Sequence, residues 1–487
     1  MLFRNRLAKA VAAFATLVVL TGSIGTPPAA AAEPMNVLLI ISDDLRCEMG
    51  CYGSALASTP HLDALAARGV VFQQAYCQFP LCNPSRTSML TGRRPTTTGV
   101  LGNRTWFGAA HPDWISLPRY FKQHGYATLR AGKIFHGGMD DEAAWTAGGQ
   151  PRFYGEGATA APPPRFTRDA IPDQPGGQPL TKAQRSDRWV VLPGDGSRHG
   201  DARVADRTIE YLKQHADGEQ PFFIGCGFSK PHSPLQAPQR FFDLWNVADI
   251  PLPPDFAPRP TVPEGFPAGS IRPKNADLFI GRDATPQQAR EMIRAYLASS
   301  AWMDFNAGRV LDALDELGLA ERTIVVFWGD HGYQLGEKGK WSKAGSLWEQ
   351  GVRNPLIIYD PRAAGNGQAC PRVVEMIDVY PTLVELCGLA AEEGLEGRSL
   401  APLVAKPQAT WDHPAYSVWS RDGKTIAGVS VRTERWHFAE FFGAGAGRML
   451  LDPIADPHEL HNLADDPQYA DVVAELSQLA RTYAGRH

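Results

Sequence analysis

The stretch Cys82-Asn-Pro-Ser-Arg-Thr-Ser-Met-Leu-Thr-Gly-Arg93 sets a nucleophile-type side chain at the start of a helix. Pro84 suits the first helical position, where a missing N–H costs nothing. Gly92 is a natural stop. Cys82 therefore sits just ahead of a helix N-terminus, where free backbone N–H groups and the dipole favour an anion. Arg86 adds a fixed positive charge close by. A lone Cys in a loop reads as a small buried hydrophobe; Pro, Ser and Arg at fixed offsets turn the reading toward chemistry.

Four other chemically rich points share one construction. Asp43 and Asp44 follow the apolar run 37–41. Lys133 and His136 follow 126–129, Lys230 and His232 follow 221–225, and Asp330 and His331 follow 323–328. Uninterrupted apolar runs of strand length mark parallel strands covered on both faces. Ligands of open α/β sheets gather at the carboxyl ends of such strands. Two adjacent carboxylates there read as a cation site, and imidazoles as proton carriers. Any one cluster could be a helix cap or surface group; their recurrence at one sheet edge is the argument.

The elements that must carry these groups can be read around them. Thr59 and Pro60 cap a helix with Leu62, Leu65 and Ala66 on one face, closed by Gly69, and 70–72 forms a second strand. Residues 286–317 hold a long helix expected to pack on the sheet. Beyond residue 413, strand-like runs at 415–419, 428–432, 436–442 and 448–451 precede an amphipathic helix at 467–483. That order predicts a small antiparallel sheet with one helix on it. Pro- and Gly-rich loops at 155–177 and 251–272 read as rims of a substrate cleft.

The chain has 487 residues, 44% of them hydrophobic, enough for one large core plus a smaller one. With 48 basic and 52 acidic residues it has no global field to recruit nucleic acid. Arg4, Arg6 and Lys9, the apolar run 10–20 and Ala30-Ala31-Ala32 read as a signal peptide over 1–32. Export to the periplasm or outside the cell follows, with no membrane span in the mature chain. The expected division is a catalytic domain at 33–410 and a small subdomain at 411–487. Besides Cys82 there are Cys47, Cys51, Cys77, Cys226, Cys370 and Cys387; Cys370 with Cys387 is one conceivable disulfide, and buried free thiols are the alternative.

Cys82-x-Pro84-Ser85-Arg86 followed by Leu90-Thr91-Gly92-Arg93 resembles the signature of type I sulfatases. Asn36 to Arg46, Cys51-Tyr52-Gly53, Gly132 to His136, Lys230-Pro231-His232, Asp330-His331-Gly332 through Glu337, and Ser430 to Thr433 extend the resemblance across nearly the whole mature chain. Within the family it is most similar to the iduronate-2-sulfatase group, which carries an imidazole where many sulfatases have Asn and this chain has His331. The resemblance implies an alkaline-phosphatase-like α/β fold: a large mixed sheet flanked by helices, with a smaller C-terminal subdomain. It implies one calcium ion held by Asp43, Asp44, Cys82, Asp330 and His331, and Cys82 converted to formylglycine by a formylglycine-generating enzyme. The hydrated aldehyde is the family's nucleophile. Arg86, Lys133, Lys230 and Lys343 would hold the sulfate and the hydrate, His232 would protonate the leaving alcohol, and His136 would help regenerate the aldehyde.

The substrate implied is a 2-O-sulfated uronic acid of a sulfated polysaccharide. Its carboxylate would need a further partner, for which Asn103, Arg104 and the 432–435 stretch are candidates. Tyr333 and Ala344 depart from the group's pattern at positions expected to flank the cleft. Rival readings are another sulfatase acting on choline or aryl sulfate, a phosphodiester or phosphonate hydrolase, and an inactive protein that binds sulfated glycans.

Overall fold

In the computed structural model, which describes residues 34–156, 158–161 and 180–485, the run at 37–41 lies inside strand β1 (Asn36–Asp43), buried along its whole length. The following strands are β2 (Val70–Tyr76), β3 (Ala127–Gly132), β4 (Trp189–Leu192), β5 (Phe222–Pro231), β6 (Leu235–Pro238), β7 (Thr323–Gly329), β8 (Leu356–Tyr359) and β9 (Ala369–Glu375). Seven of them form one sheet in the order β3-β5-β1-β7-β8-β2-β9, while β4 and β6 pair separately. β3, β5, β1 and β7 are mutually parallel, and β8 runs antiparallel to its neighbours β7 and β2. The sheet is therefore mixed. The signal peptide expected over 1–32 and most of the loop expected at 155–177 lie outside the described residues. No described helix is long and apolar enough to cross a membrane.

Burial on both faces explains the apolar runs. Val37, Leu39 and Ile41 enter a core with Ile324, Val326 and Trp328. Leu38 and Ile40 enter another with Met303, Ala307 and Val310 of the long helix Pro286–Glu316. That helix starts on a capping box between Thr285 and Gln288, with Pro286 at its first position. Its N-terminal half joins a third core with Leu235 and Ala237 of β6. Parallel register then brings the chemistry to one edge: Asp43 is level with Pro231, Ser42 with Gly329, and Gly132 with Gly227.

The C-terminal runs form a separate antiparallel sheet of β10 (Ala415–Ser420), β11 (Ile426–Arg432), β12 (His437–Phe441) and β13 (Gly447–Leu451). The helix Ala470–Tyr483 covers it through Val473, Leu476 and Ala480, in the core that the large sheet also fills. A buried ionic clasp adds to this joint. His437 Nδ1 meets Glu459 Oε1 at 2.5 Å, Glu459 Oε2 accepts from the Glu349 backbone N–H at 3.0 Å, and Arg432 Nε lies 3.5 Å from Glu349 Oε2.

All seven cysteines are free, the second of the two alternatives left open for Cys370 and Cys387. Strands β4, β6, β8 and β9 carry no strong sequence signal. β8 has only four residues, between Pro355 and the Asp360-Pro361 turn, too few for a period to show.

Candidate active site

Cys82 is the first residue of the helix Cys82–Thr91 itself, with Leu81 as N-cap, rather than one position ahead of it. The whole helix is buried, and Gly92 closes it at φ 63°, a left-handed conformation suited to glycine. Cys82 Sγ lies 3.5 Å from Asp43 Oδ1 and 3.4 Å from His331 Nε2. Arg86, one turn on, is completely buried and ties strand ends together. Its Nε donates to Asp330 Oδ2 at 2.9 Å, and its Nη1 donates to the carbonyls of Lys133 and Ile134 beyond β3. Ser85 Oγ donates to the Asp330 carbonyl. The approach of β3 to β5 needs glycine at 227, where a Cβ would fall 2.1 Å from the Lys133 carbonyl oxygen.

Asp43, Asp44, Asp330 and His331 converge on Cys82. The Asp44 N–H donates to Asp330 Oδ1 at 3.0 Å, with Asp44 at φ 67°. His331 Nδ1 donates to the Gly332 carbonyl at 2.9 Å, which leaves Nε2 as a lone-pair donor. That nitrogen stands 3.4 Å from Asp44 Oδ1 and 3.5 Å from Asp330 Oδ1. Such spacings suit donors about 2.4 Å from a shared cation, whose neighbouring ligands fall about 3.4 Å apart. Asp44 Oδ1 is buried and faces the Lys343 ammonium at 2.8 Å. Three carboxylates make a hard donor set appropriate to calcium. These residues fit an ion.

The charges around them are unequal. Burial alone would raise the Asp43 carboxyl, but Lys133, then His232, Arg86 and Lys343, hold it well below the usual carboxylate range. Burial pushes Asp44 well above that range despite Lys343, because Asp43, Asp277 and Asp330 crowd it. Lys133 Nζ pairs with Asp43, and Lys343 Nζ lies 2.8 Å from Asp44 Oδ2 and 3.5 Å from Asp277 Oδ2. Burial, and next Asp43, push the Cys82 thiol well above its ordinary value. An unmodified Cys82 is thus a protonated thiol, unlike reactive thiolates.

His232 Nδ1 donates to the Ser233 carbonyl at 2.6 Å, and its Nε2 lies 4.0 Å from Asp44 Oδ2. His136 Nδ1 is buried with no hydrogen bond. Burial holds both rings well below the ordinary histidine value, helped chiefly by Lys343 at His232 and by Lys133 at His136. Lys230 is drawn aside: its Nζ donates to the carbonyls of His232 at 2.9 Å and Pro234 at 2.7 Å.

The cleft candidates separate. Asn103 Oδ1 accepts from the Asn83 N–H at 3.1 Å, at the start of the Cys82 helix. Arg104 lies over Tyr154 at 6.0 Å, and Tyr154 is 5.9 Å from His136. Arg432 is occupied in the clasp with Glu349, and Arg435 lies 4.3 Å over Trp436 and 3.4 Å from Asp452. Tyr333 is buried beside the site: its ring lies 5.9 Å from Lys343 Nζ and 5.8 Å from Tyr296, and its hydroxyl donates to the Trp341 carbonyl at 3.1 Å. Ala344 is buried as well.

A family model described as Sulfatase matches residues 35–389, and one described as N-sulphoglucosamine sulphohydrolase, C-terminal matches residues 336–484. The chain belongs to the sulfatase family. Iduronate 2-sulfatase of Homo sapiens is 32% identical over 526 residues, covering 90% of this chain and 93% of that protein. A sulfatase of Formosa agariphila is 32% identical over 455 residues, covering 91% of this chain and 86% of its own. The phosphonate monoester hydrolase of Agrobacterium radiobacter shares the fold with a TM-score of 0.70 at 22% identity, over 91% of this chain and 94% of that one. The sulfatase is accordingly a sulfuric ester hydrolase.

Three supporting residues carry no sequence signal of their own. Tyr296, in the middle of a packing helix, donates its hydroxyl to the Asp44 carbonyl at 2.8 Å and accepts from the Arg46 N–H at 3.0 Å. Asp201, a first-turn helix acid, accepts from the backbone N–H groups of Ser229 and Lys230, each at 2.9 Å. Asp277 reaches Lys343 from a loop. Tyr296→Phe leaves a buried donor and acceptor unpaired beside Asp44. It is expected to lower stability by about 1–3 kcal/mol and to reduce kcat toward an aryl sulfate; chemical denaturation and steady-state kinetics check both.

Proposed function

We propose that the sulfatase hydrolyses the 2-O-sulfate of a uronic acid in a sulfated saccharide, with formylglycine at position 82 and one Ca2+ held by Asp43, Asp44, Asp330, His331 and residue 82. The observation that carries this reading is the convergence of three carboxylates and an imidazole on a cysteine inside an intact Cys82-x-Pro84-Ser85-Arg86 sequence. When present, these groups supply a hydrate hydroxyl to attack sulfur, a second hydroxyl whose deprotonation releases sulfate, and a cation to neutralise the ester oxygens.

The chain's own residues do the rest. Lys133, Lys230 and Lys343 donate to sulfate oxygens, and Arg86 has an Nη2 group free of hydrogen bonds to add. His232 carries the leaving-group proton on Nε2, since its Nδ1 proton is committed to the Ser233 carbonyl. The incoming negative ester favours the protonated ring. His136, with an unoccupied Nδ1, takes the proton from the second hydroxyl of residue 82. Cys82 is 2% exposed, so conversion by a formylglycine-generating enzyme has to precede folding. Export of the unfolded chain through a signal peptide ending near Ala32 belongs to the same reading.

Mass spectrometry of the peptide spanning Cys82, from protein made with a maturation enzyme, should show formylglycine. An unmodified thiol in fully active enzyme would overturn the mechanism. Chelation should abolish activity, with calcium restoring it better than zinc because the donor set is oxygen-rich; elemental analysis showing stoichiometric zinc instead of calcium contradicts the metal assignment.

The uronate reading draws on the similarity to human iduronate 2-sulfatase and on Arg104 as the remaining cationic candidate for the carboxylate. Arg104→Ala should raise KM for a sulfated uronate while small aryl sulfates are turned over with little change. A lost bidentate contact is worth about 1.5–3 kcal/mol, or roughly 10- to 150-fold in kcat/KM. Equal losses on both substrates would remove Arg104 from substrate recognition.

A further inference from the structure

A second concavity lies at the free edge of the large sheet, where β3 is the outermost strand. It measures about 630 Å3, within the range of small-molecule sites. Residues 130–132 of β3 and the turn at 147–150 form one side, and the helix Gly200–His215 forms the other. Three guanidinium groups line it, Arg130, Arg203 and Arg207, and no carboxylate does. The N-terminal residue of the sixteen-residue helix, Gly200, lines it too, so the positive end of the helix dipole adds to the three charges.

Among the described residues, two of the three cations have a carboxylate neighbour and the third does not. The Arg130 side chain is 9% exposed; its Nη1 donates to the Gly148 carbonyl at 3.1 Å, but its buried Nε has no hydrogen bond and lies 3.4 Å from Asp140 Oδ2. Burial holds this guanidinium below its ordinary value even with Asp140 beside it. Arg207 is 2.9 Å from Glu210 at the solvent-exposed rim. Among the described residues the Arg203 guanidinium has no ion pair or hydrogen bond. An anion entering here would meet the unpaired Arg203 charge and the unsatisfied Arg130 Nε–H.

Both walls run directly into the active site. After Gly132 the chain continues to Lys133, whose ammonium pairs with Asp43. Asp201, next to Gly200, holds the backbone of Ser229 and Lys230. We propose that this cleft is a second anion-binding site, which takes a sulfate- or carboxylate-bearing sugar unit and so holds a polyanionic saccharide beside the reacting centre. The inference rests on the saccharide reading of the substrate. The cleft grips charge rather than a particular sugar, since arginine forks fit sulfate and carboxylate alike.

The test uses the mature enzyme and the double variant Arg203→Ala/Arg207→Ala. Both positions are exposed on a helix that alanine favours, so the fold is retained. kcat/KM is measured for a sulfated, uronate-containing tetrasaccharide and for 4-nitrophenyl sulfate, across ionic strength and with added inorganic sulfate. The ratio of tetrasaccharide to aryl-sulfate kcat/KM should fall about tenfold in the variant, and its salt dependence should become shallower. An unchanged ratio overturns the cleft alone. Millimolar inorganic sulfate that erases the difference between wild type and variant assigns the cleft to the free anion and overturns the saccharide assignment. A wild-type enzyme that hydrolyses the aryl sulfate but not the tetrasaccharide refutes the uronate reading, and this inference with it.

Discussion

One buried guanidinium fixes the geometry on which the active site depends. Arg86 has no exposed surface, yet it reaches the carboxylate after β7 and the carbonyls after β3 from the helix that presents Cys82. Within the sheet, β5 and β1 separate those two strands. A buried charge is costly unless it is paired, and two carbonyls and the carboxylates of Asp330 and Asp43 answer this one. Strand ends, helix and loop must therefore assemble together or leave a charge stranded, a penalty of about 3–5 kcal/mol when one partner of such a pair is missing. The constraint is directional as well: three N–H vectors of a planar fork allow little relative sliding of the elements they touch.

The same edge concentrates charge that the fold does not favour. Asp43, Asp44 and Asp330 lie close together in a buried setting, and Lys133, Lys343 and Arg86 answer them. The answer is uneven. Asp43 is strongly stabilised as an anion, while Asp44 is crowded by like charges that Lys343 offsets only in part. A divalent cation would relieve that crowding and release the lysines toward a substrate anion. Their positions satisfy two tasks, offsetting carboxylates in the protein alone and neutralising an ester when it arrives.

Much of this was legible in the sequence, for a physical reason. Parallel strands buried on both faces leave apolar runs, and the residues just past them must stand at one edge; Asp43, Lys133, Lys230 and Asp330 were found that way. Contacts made across the sequence leave no such trace. Tyr296 looks like any packing residue in a long amphipathic helix, yet its hydroxyl caps the backbone at Asp44. Nor does the sequence show that the Tyr333 ring stands beside both Lys343 and Tyr296. Lys230 has the expected position, and its ammonium donates to the carbonyls of His232 and Pro234, a contact the sequence does not show. β8 was missed because four residues cannot display a period.

Reaction and recognition are divided between rigid and adjustable parts of the molecule. The groups proposed to act on the ester stand at or past the carboxyl ends of parallel strands, in the loop after β7 or on the buried helix, where dense packing leaves little freedom. The groups proposed to read the rest of the substrate stand outside this frame. Arg104 leans on a partly exposed tyrosine, and Arg203 and Arg207 project from a helix surface at the sheet edge. Substitutions at these outer positions disturb no strand end and leave no buried charge unpaired, so they can vary without cost to the chemistry. The human relative is about one-third identical over nearly the whole chain. At that distance the constrained interior is where conserved chemistry can persist, and the periphery is where substrate choice can change.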